Sequence, residues 1–221
     1  MQVSGFVQSA GIVAWPLLVF SVVVIALVIE RGIFWFRIWR RQSQVVRKSL
    51  KLYKSYPNQA MDLLQNNVDL PIARIFLEAL ELDNPNPEEF RLAIESAAQA
   101  EIPGLRRFST VFDTVIAVSP LLGLLGTVLG LITSFSSLRI GDVGGSSSAG
   151  VTGGIGEALA STVLGLIVAI FTVLFANTFR SFYKRQIALI QEYAGQLELL
   201  YRRKYEYDKL PENRSVVQQV L

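Results

Sequence analysis

Residues 119–135, "SPLLGLLGTVLGLITSF", are apolar enough to cross a lipid bilayer, yet they include Pro120, the glycines Gly123, Gly126 and Gly130, and a hydroxyl at Thr127. Leucine at any of those places would make a more stable helix. On a helix, Gly123, Thr127, Gly130 and Ser134 fall at i, i+4, i+7 and i+11 and share one face, with Gly126 at its border. Leu121, Leu124, Leu125, Val128 and Leu131 take the rest of the circumference. Small residues let membrane helices approach closely, and 126–130 has the small-xxx-small spacing. The pattern predicts a membrane helix with one smooth face.

Working outward, apolar residues gather into three blocks, about 11–36, 111–135 and 155–179. Each reaches the ~20 residues that a helix rising about 1.5 Å per residue needs to cross about 30 Å of hydrocarbon. A mean hydropathy of +0.40 over 221 residues fits an all-α integral membrane protein with three transmembrane helices. The first block ends in Glu30-Arg31 and has no Lys or Arg before it, which marks an uncleaved anchor rather than a signal peptide. Glu30-Arg31 itself reads as an interface anchor, and Asp113 as a hydrated residue near the inner end of the second span.

Charge sets the orientation. No Lys or Arg occurs from Met1 to Ile29, eleven lie between the first and second spans, Arg139 alone separates the second from the third, and eight follow. The positive-inside rule places the N-terminus and 136–154 outside, and the 37–110 loop and the tail in the cytoplasm. The chain thus divides into 1–36 (outer N-terminus and first span), 37–110 (cytoplasmic helical loop), 111–179 (second and third spans with a short outer Gly/Ser loop) and 180–221 (cytoplasmic C-terminal helix and tail). Asn86-Pro-Glu-Glu89 predicts a helix start in the loop, with a cap, a proline at the first position and a glutamate at the third. That helix should end or kink near Pro103, and from Gly104 the pattern runs straight into the second span. In the tail, Ile187, Ile190, Ala194, Leu197 and Tyr201 recur at helical spacing, so long helices should extend into the cytoplasm and bury one stripe. Gly141 to Gly156 reads as a flexible connector, since no Gly-Lys-Ser/Thr follows to make a phosphate loop.

The third block repeats the smooth face, with Ala158, Thr162, Gly165, Ala169, Thr172 and Ala176 along one side and Ser161 adjoining. Two readings stand. Either each threonine returns its hydroxyl to a carbonyl one turn back and the faces only pack helices, or the two faces line a narrow lumen for water or ions. Glu157 also has two readings. It lies in the span facing protein or water, because a charge at mid-bilayer costs about 2.5–3.5 kcal/mol, or it sits at the outer interface beside the positive end of its own helix.

With neither cysteine nor histidine, disulfides, thiolate catalysis, the usual zinc sites and Ser-His hydrolysis are excluded. No nucleophile with a base, paired buried carboxylate or metal cluster is legible, so no enzyme and no cofactor are expected. The basic residues cluster beside membrane ends instead of forming a soluble stripe, which argues against nucleic acid as a partner.

Leu121-Leu-Gly-Leu-Leu-Gly-Thr-Val128, preceded by Pro120 and followed by Thr133-Ser-Phe135, resembles the signature of the MotA/TolQ/ExbB proton channel family. Gly154-Ile-Gly-Glu-Ala-Leu-Ala-Ser-Thr-Val-Leu-Gly-Leu166 and the lead-in Phe112-Asp-Thr-Val115 resemble it as well. Three spans and one large cytoplasmic loop are similar to the ExbB/TolQ branch, and Ser119 stands where the family pattern usually has alanine. The resemblance implies a pentameric ring in a bacterial inner membrane, enclosing single helices of an ExbD- or TolR-like partner that carries the ionisable aspartate. It also implies a TonB-like protein as recipient of the motion. Thr127 and Thr162 match the family's lumen threonines and Glu157 its glutamate at the mouth of the third span. Pro120, Gly123, Gly126, Gly130, Gly165 and Ala169 would serve ring and partner-helix packing. On this reading the smooth face lets a partner helix sit close while hydroxyls bridge water to its aspartate. A TolQ-like role in envelope maintenance and a purely structural scaffold are the alternatives.

Overall fold

The computed structural model describes residues 11–136 and 146–209, with the backbone alone over 146–149. Among these the chain is helical, without strands: α1 (Ala14–Ser55, preceded by a 3₁₀ turn at Gly11–Val13), α2 (Pro57–Gln65), α3 (Pro71–Leu80), α4 (Pro87–Leu105), α5 (Ser109–Ser136) and α6 (Ser146–Lys209). Three of these helices, α1, α5 and α6, carry windows long and apolar enough to cross a membrane.

The chain divides into two compact units, Met1–Gly32 with Phe108–Arg180, and Ile33–Arg107 with Ser181–Leu221. The first holds the apolar parts of α1, α5 and α6. Its core is Val24, Phe112, Val115 and Ala176, with Phe20, Leu27, Val28, Ile116, Val168 and Phe179 packed against it. Large apolar side chains such as Leu121, Leu124, Leu159, Ile170 and Leu174 are exposed, the inverse of a water-soluble core and what lipid or other membrane helices cover.

The second unit gathers α2, α3, α4 and the distal parts of α1 and α6. Leu64, Leu70, Ile72, Ile75, Phe76 and Phe90 are fully buried. The cap read at Asn86 is present: its side chain accepts from the Glu88 and Glu89 amides at 2.9 and 3.0 Å, and its own amide donates to Glu89 Oε2 at 2.7 Å. The tail stripe is also present, with Ile190 and Leu197 buried and Ile187, Ala194 and Tyr201 half-buried. Tyr201 stacks on Phe90 with centroids 3.9 Å apart, and its hydroxyl donates to the Pro85 carbonyl at 2.5 Å. Gln42 and Gln186, both buried, exchange amide hydrogen bonds of 3.2 and 2.7 Å between α1 and α6. Such a pair fixes register, because slipping either helix strands two amides in an apolar layer.

The helix of the first span continues past Phe36 to Ser55, because Trp35, Ile38, Gln42, Val46, Ser49 and Tyr53 extend one buried stripe. Two expectations are corrected. α4 ends near Pro103 as expected, at Leu105, but the pattern from Gly104 does not run unbroken into the second span: Phe108 turns the chain with φ of +67° before α5 begins. The Gly/Ser segment is not a loop throughout: α6 starts at Ser146, and of the expected connector only 141–145 lie outside the described residues.

Burial, and secondarily the charges of Tyr201 and Asp208, push the Tyr53 phenol up from 10.0 to about 12. The fold favours the neutral phenol, so this contribution to stability is complete below about pH 10 and is lost as pH rises toward about 12. Following phenolate absorbance during alkaline titration should show Tyr53 ionising late, with Tyr201, which burial also raises, above the ordinary tyrosines, together with loss of helicity. A normal titration of every tyrosine would contradict the packing at Tyr53.

Candidate functional site in the membrane spans

The smooth faces of α5 and α6 meet each other. On α5 the buried positions are Ser119, Gly123, Gly126, Gly130 and Ser134; on α6 they are Gly154, Ala158, Ser161, Gly165, Ala169, Thr172 and Ala176. Both rows advance by three or four residues, so each is one straight stripe. The approach is backbone to backbone. A methyl group on Gly123 would stand 3.0 Å from the Thr162 Cα, one on Gly130 2.8 Å from both the Ala158 Cβ and the Gly154 carbonyl, and one on Gly165 2.5 Å from the Ser119 carbonyl. One on Gly126 would collide with the Ser161 side chain. Only glycine permits this seam.

Hydroxyls line it. Thr162 Oγ1 donates across the seam to the Gly123 carbonyl at 3.2 Å. Ser161 Oγ lies 2.7 Å from its own-helix acceptor, Ala158 O, and 3.3 Å from Gly123 O. Ser134 Oγ approaches Gly130 O at 2.9 Å and Val151 O on α6 at 3.2 Å. Thr127 behaves differently: half-buried, it donates to Leu124 O of its own helix at 2.6 Å. Ser119 Oγ is buried with no hydrogen-bond partner among the described residues. Pro120, half-buried next to it, lacks an N–H, so the Ile116 carbonyl loses its ordinary donor four residues on.

The structure therefore rotates the face read from the sequence. Gly126 stands in the middle of the stripe and Thr127 at its edge, because α6 packs on the 123/126/130/134 row rather than the 123/127/130/134 row. Of the residues singled out, Gly123, Gly126, Gly130, Thr162, Gly165 and Ala169 come together, with Pro120 and Thr127 flanking them. Ser161 and Gly154 belong to the centre of the contact, although the first was read only as adjoining and the second only as part of a motif. The signal was there, since Gly154, Ala158, Ser161 and Gly165 share the helical repeat.

Glu157 is half-buried and its carboxylate lies against Gly11, whose φ of +62° and lack of a side chain make the room. It stands eleven residues into α6, beyond the first turn in which a helix dipole acts. The reading that its own helix end favours its charge is thus corrected. What it meets is the beginning of the first-span helix.

At the other end of this unit Asp113 pairs with Arg180. Arg31 is only 3% exposed, is held by Glu30 at 2.7 Å, and lies 5.4 Å from the centre of the Phe108 ring. Its side chain is therefore packed inside the protein. Between these ends the spans are electrically silent: 114–136 and 158–179 contain no Asp, Glu, Lys, Arg or Tyr. Among the described residues no group of side chains suits a metal ion.

Comparisons with known proteins agree with this architecture. The profile described as the MotA/TolQ/ExbB proton channel family matches residues 67–192. The putative biopolymer transport protein ExbB-like 3 of Synechocystis is 61% identical over 196 residues, 89% of this chain and 93% of that protein. ExbB-like 1 of the same organism is 42% identical, covering 87% and 76% of the two chains. The biopolymer transport protein ExbB of Neisseria meningitidis serogroup A is 33% identical over 73% of this chain and 77% of its own. A three-span membrane protein with this seam, this motif order and these relatives belongs to the MotA/TolQ/ExbB proton channel family, in its ExbB branch.

Proposed function

We propose that the chain is the ring subunit of a motor driven by the proton-motive force, acting with a single-span ExbD-like partner to energise TonB-dependent transport across an outer membrane. The observation that carries the reading is the pairing of hydroxyls at Thr127 and Thr162 with spans that hold no titratable group between Thr114 and Ser136 or between Ala158 and Phe179. A path with hydroxyls but no proton carrier needs a carrier from elsewhere, and an aspartate on a partner helix supplies one. Each hydroxyl donates its single proton to a carbonyl, which leaves oxygen lone pairs to receive water. Glu157 stands at the mouth of the path or in contact with the partner. Moving one charge through 100 mV releases about 2.3 kcal/mol, so a stroke against a sizeable load takes several protons.

In this reading five copies form a ring in the inner membrane, with the N-terminus periplasmic and the C-terminus cytoplasmic. The glycines act on ring and partner contacts indirectly, by setting how closely α5 and α6 stand. The TolQ-like role has the same physics with another client. The scaffold reading has one observation in its favour, namely that the smooth faces are occupied by the chain's own helices.

Two measurements test the proposal. Cysteines at Ser147 and at the exposed Gln44 should label from opposite sides of the membrane, with Ser147 outside; labelling of both from the cytoplasm would overturn the orientation. The chain should also capture a one-span protein bearing a membrane aspartate. Changing that aspartate to asparagine should stop transport without releasing the partner, and transport that survives the change would remove the motor reading.

A further inference from the structure

The outward stripe of α1 changes character once along its length. Leu18, Val22, Ile25, Ile29, Ile33 and Phe36 are exposed at helical spacing, and the same stripe continues as Arg40, Arg47, Lys51 and Lys54. Trp15 and Trp39, 73% and 75% exposed, bracket the apolar part. Twenty-four residues of one helix separate them, about 36 Å at 1.5 Å per residue, the spacing of aromatic residues at the two faces of a bilayer.

Around Trp39 the cations are arginines. Arg37 and Arg40 are exposed, share a face at i and i+3, and make no ion pair among the described residues. Their neighbour Arg41 is turned to the protein, bonding Asp69 and Asn67 at 2.7 Å each. The nearest carboxylate along the helix, Glu30, is held by Arg31. No acid occurs in α1 beyond it. Two free guanidinium groups beside an interfacial indole suit a phosphodiester, because guanidinium binds phosphate through paired hydrogen bonds that an ammonium does not make.

Distance separates this cluster from the rest of the stripe. Arg47 to Lys54 lie about 12–22 Å farther along the helix than Trp39, beyond the ~8 Å over which charges act through physiological salt. They cannot serve a headgroup at the level of Trp39. We propose that Arg37, Trp39 and Arg40 form a site on the outward face of α1 that selects anionic phospholipid headgroups over zwitterionic ones.

The full-length purified protein is incubated with equimolar phosphatidylglycerol and phosphatidylcholine, and the lipids retained are counted by native mass spectrometry. The wild type should retain phosphatidylglycerol preferentially. Arg37→Gln with Arg40→Gln should lower that preference by about fivefold or more, since a cation at a membrane surface is worth ~1 kcal/mol. Arg37→Lys with Arg40→Lys should keep part of it, and Lys51→Gln with Lys54→Gln should leave it unchanged. Equal retention of both lipids by the wild type would overturn the proposal. So would an equal loss in the Lys51/Lys54 variant, the behaviour of a stripe made for an acidic polypeptide, or displacement by millimolar inorganic phosphate, the behaviour of a free-anion site.

Discussion

Gly130→Leu and Gly126→Leu should each prevent the second and third spans from closing on one another, leaving protein that inserts but does not form a stable complex. At Gly130 the new side chain meets the Gly154 carbonyl and the Ala158 amide, which are backbone and cannot move aside. At Gly126 it meets Ser161, a side chain also committed to the seam. Overpacking costs about 1–3 kcal/mol where neighbours yield, and a large share of a domain's stability where they do not. The contrast lies in the same helices. Gly153 and Gly156 have open space around them, so Gly153→Ala and Gly156→Ala should be neutral or stabilising by about 0.5–1 kcal/mol through helix propensity. Melting in detergent and native mass of the complex read both arms. A normal complex from Gly130→Leu would show that the seam is not the packing surface.

Much of this architecture is visible in the sequence. The three spans follow from hydropathy, the α4 start from Asn86 and Glu89, and the tail stripe from its apolar spacing. The motifs in 121–128 and 154–166 are enough to point to the family. What the sequence hides is rotation and continuity. In a membrane helix both the lipid-facing and protein-facing sides are uncharged, so periodicity barely separates the Gly126 row from the Thr127 row. Only the presence of α6 decides it. Likewise hydropathy measures affinity for lipid and not helicity, so α1 beyond Phe36 and α6 before Ile155 escaped notice. The Gly/Ser segment becomes helix because Gly154 meets Gly130 and Ser134, a contact distant in sequence. The burial of Arg31 is hidden for the same reason, since its ring partner Phe108 is 77 residues away.

Thr127→Val with Thr162→Val should abolish most proton-driven transport while the complex stays assembled. Valine nearly preserves shape, and the two hydrogen bonds being lost are worth about 1 kcal/mol or less each in membranes. Packing alone therefore predicts an almost silent change. A hydroxyl that holds water against a charged carboxylate is worth about 1.5–3 kcal/mol, roughly ten- to hundredfold in rate. Thr→Ser at both positions keeps the hydroxyls and should keep more of the activity. Energised uptake in cells, scored beside capture of the partner, separates the two accounts.

Proton flux into proteoliposomes under an imposed potential distinguishes a chain that supplies only the path, with the carrier on its partner, from a channel complete in itself. Protein reconstituted alone should be no leakier than empty vesicles, whereas co-reconstitution with the aspartate-bearing partner should produce flux that the Thr127→Val, Thr162→Val variant largely loses. Flux through the chain alone, or undiminished flux through the double variant with its partner, would contradict a path completed by the partner's carrier.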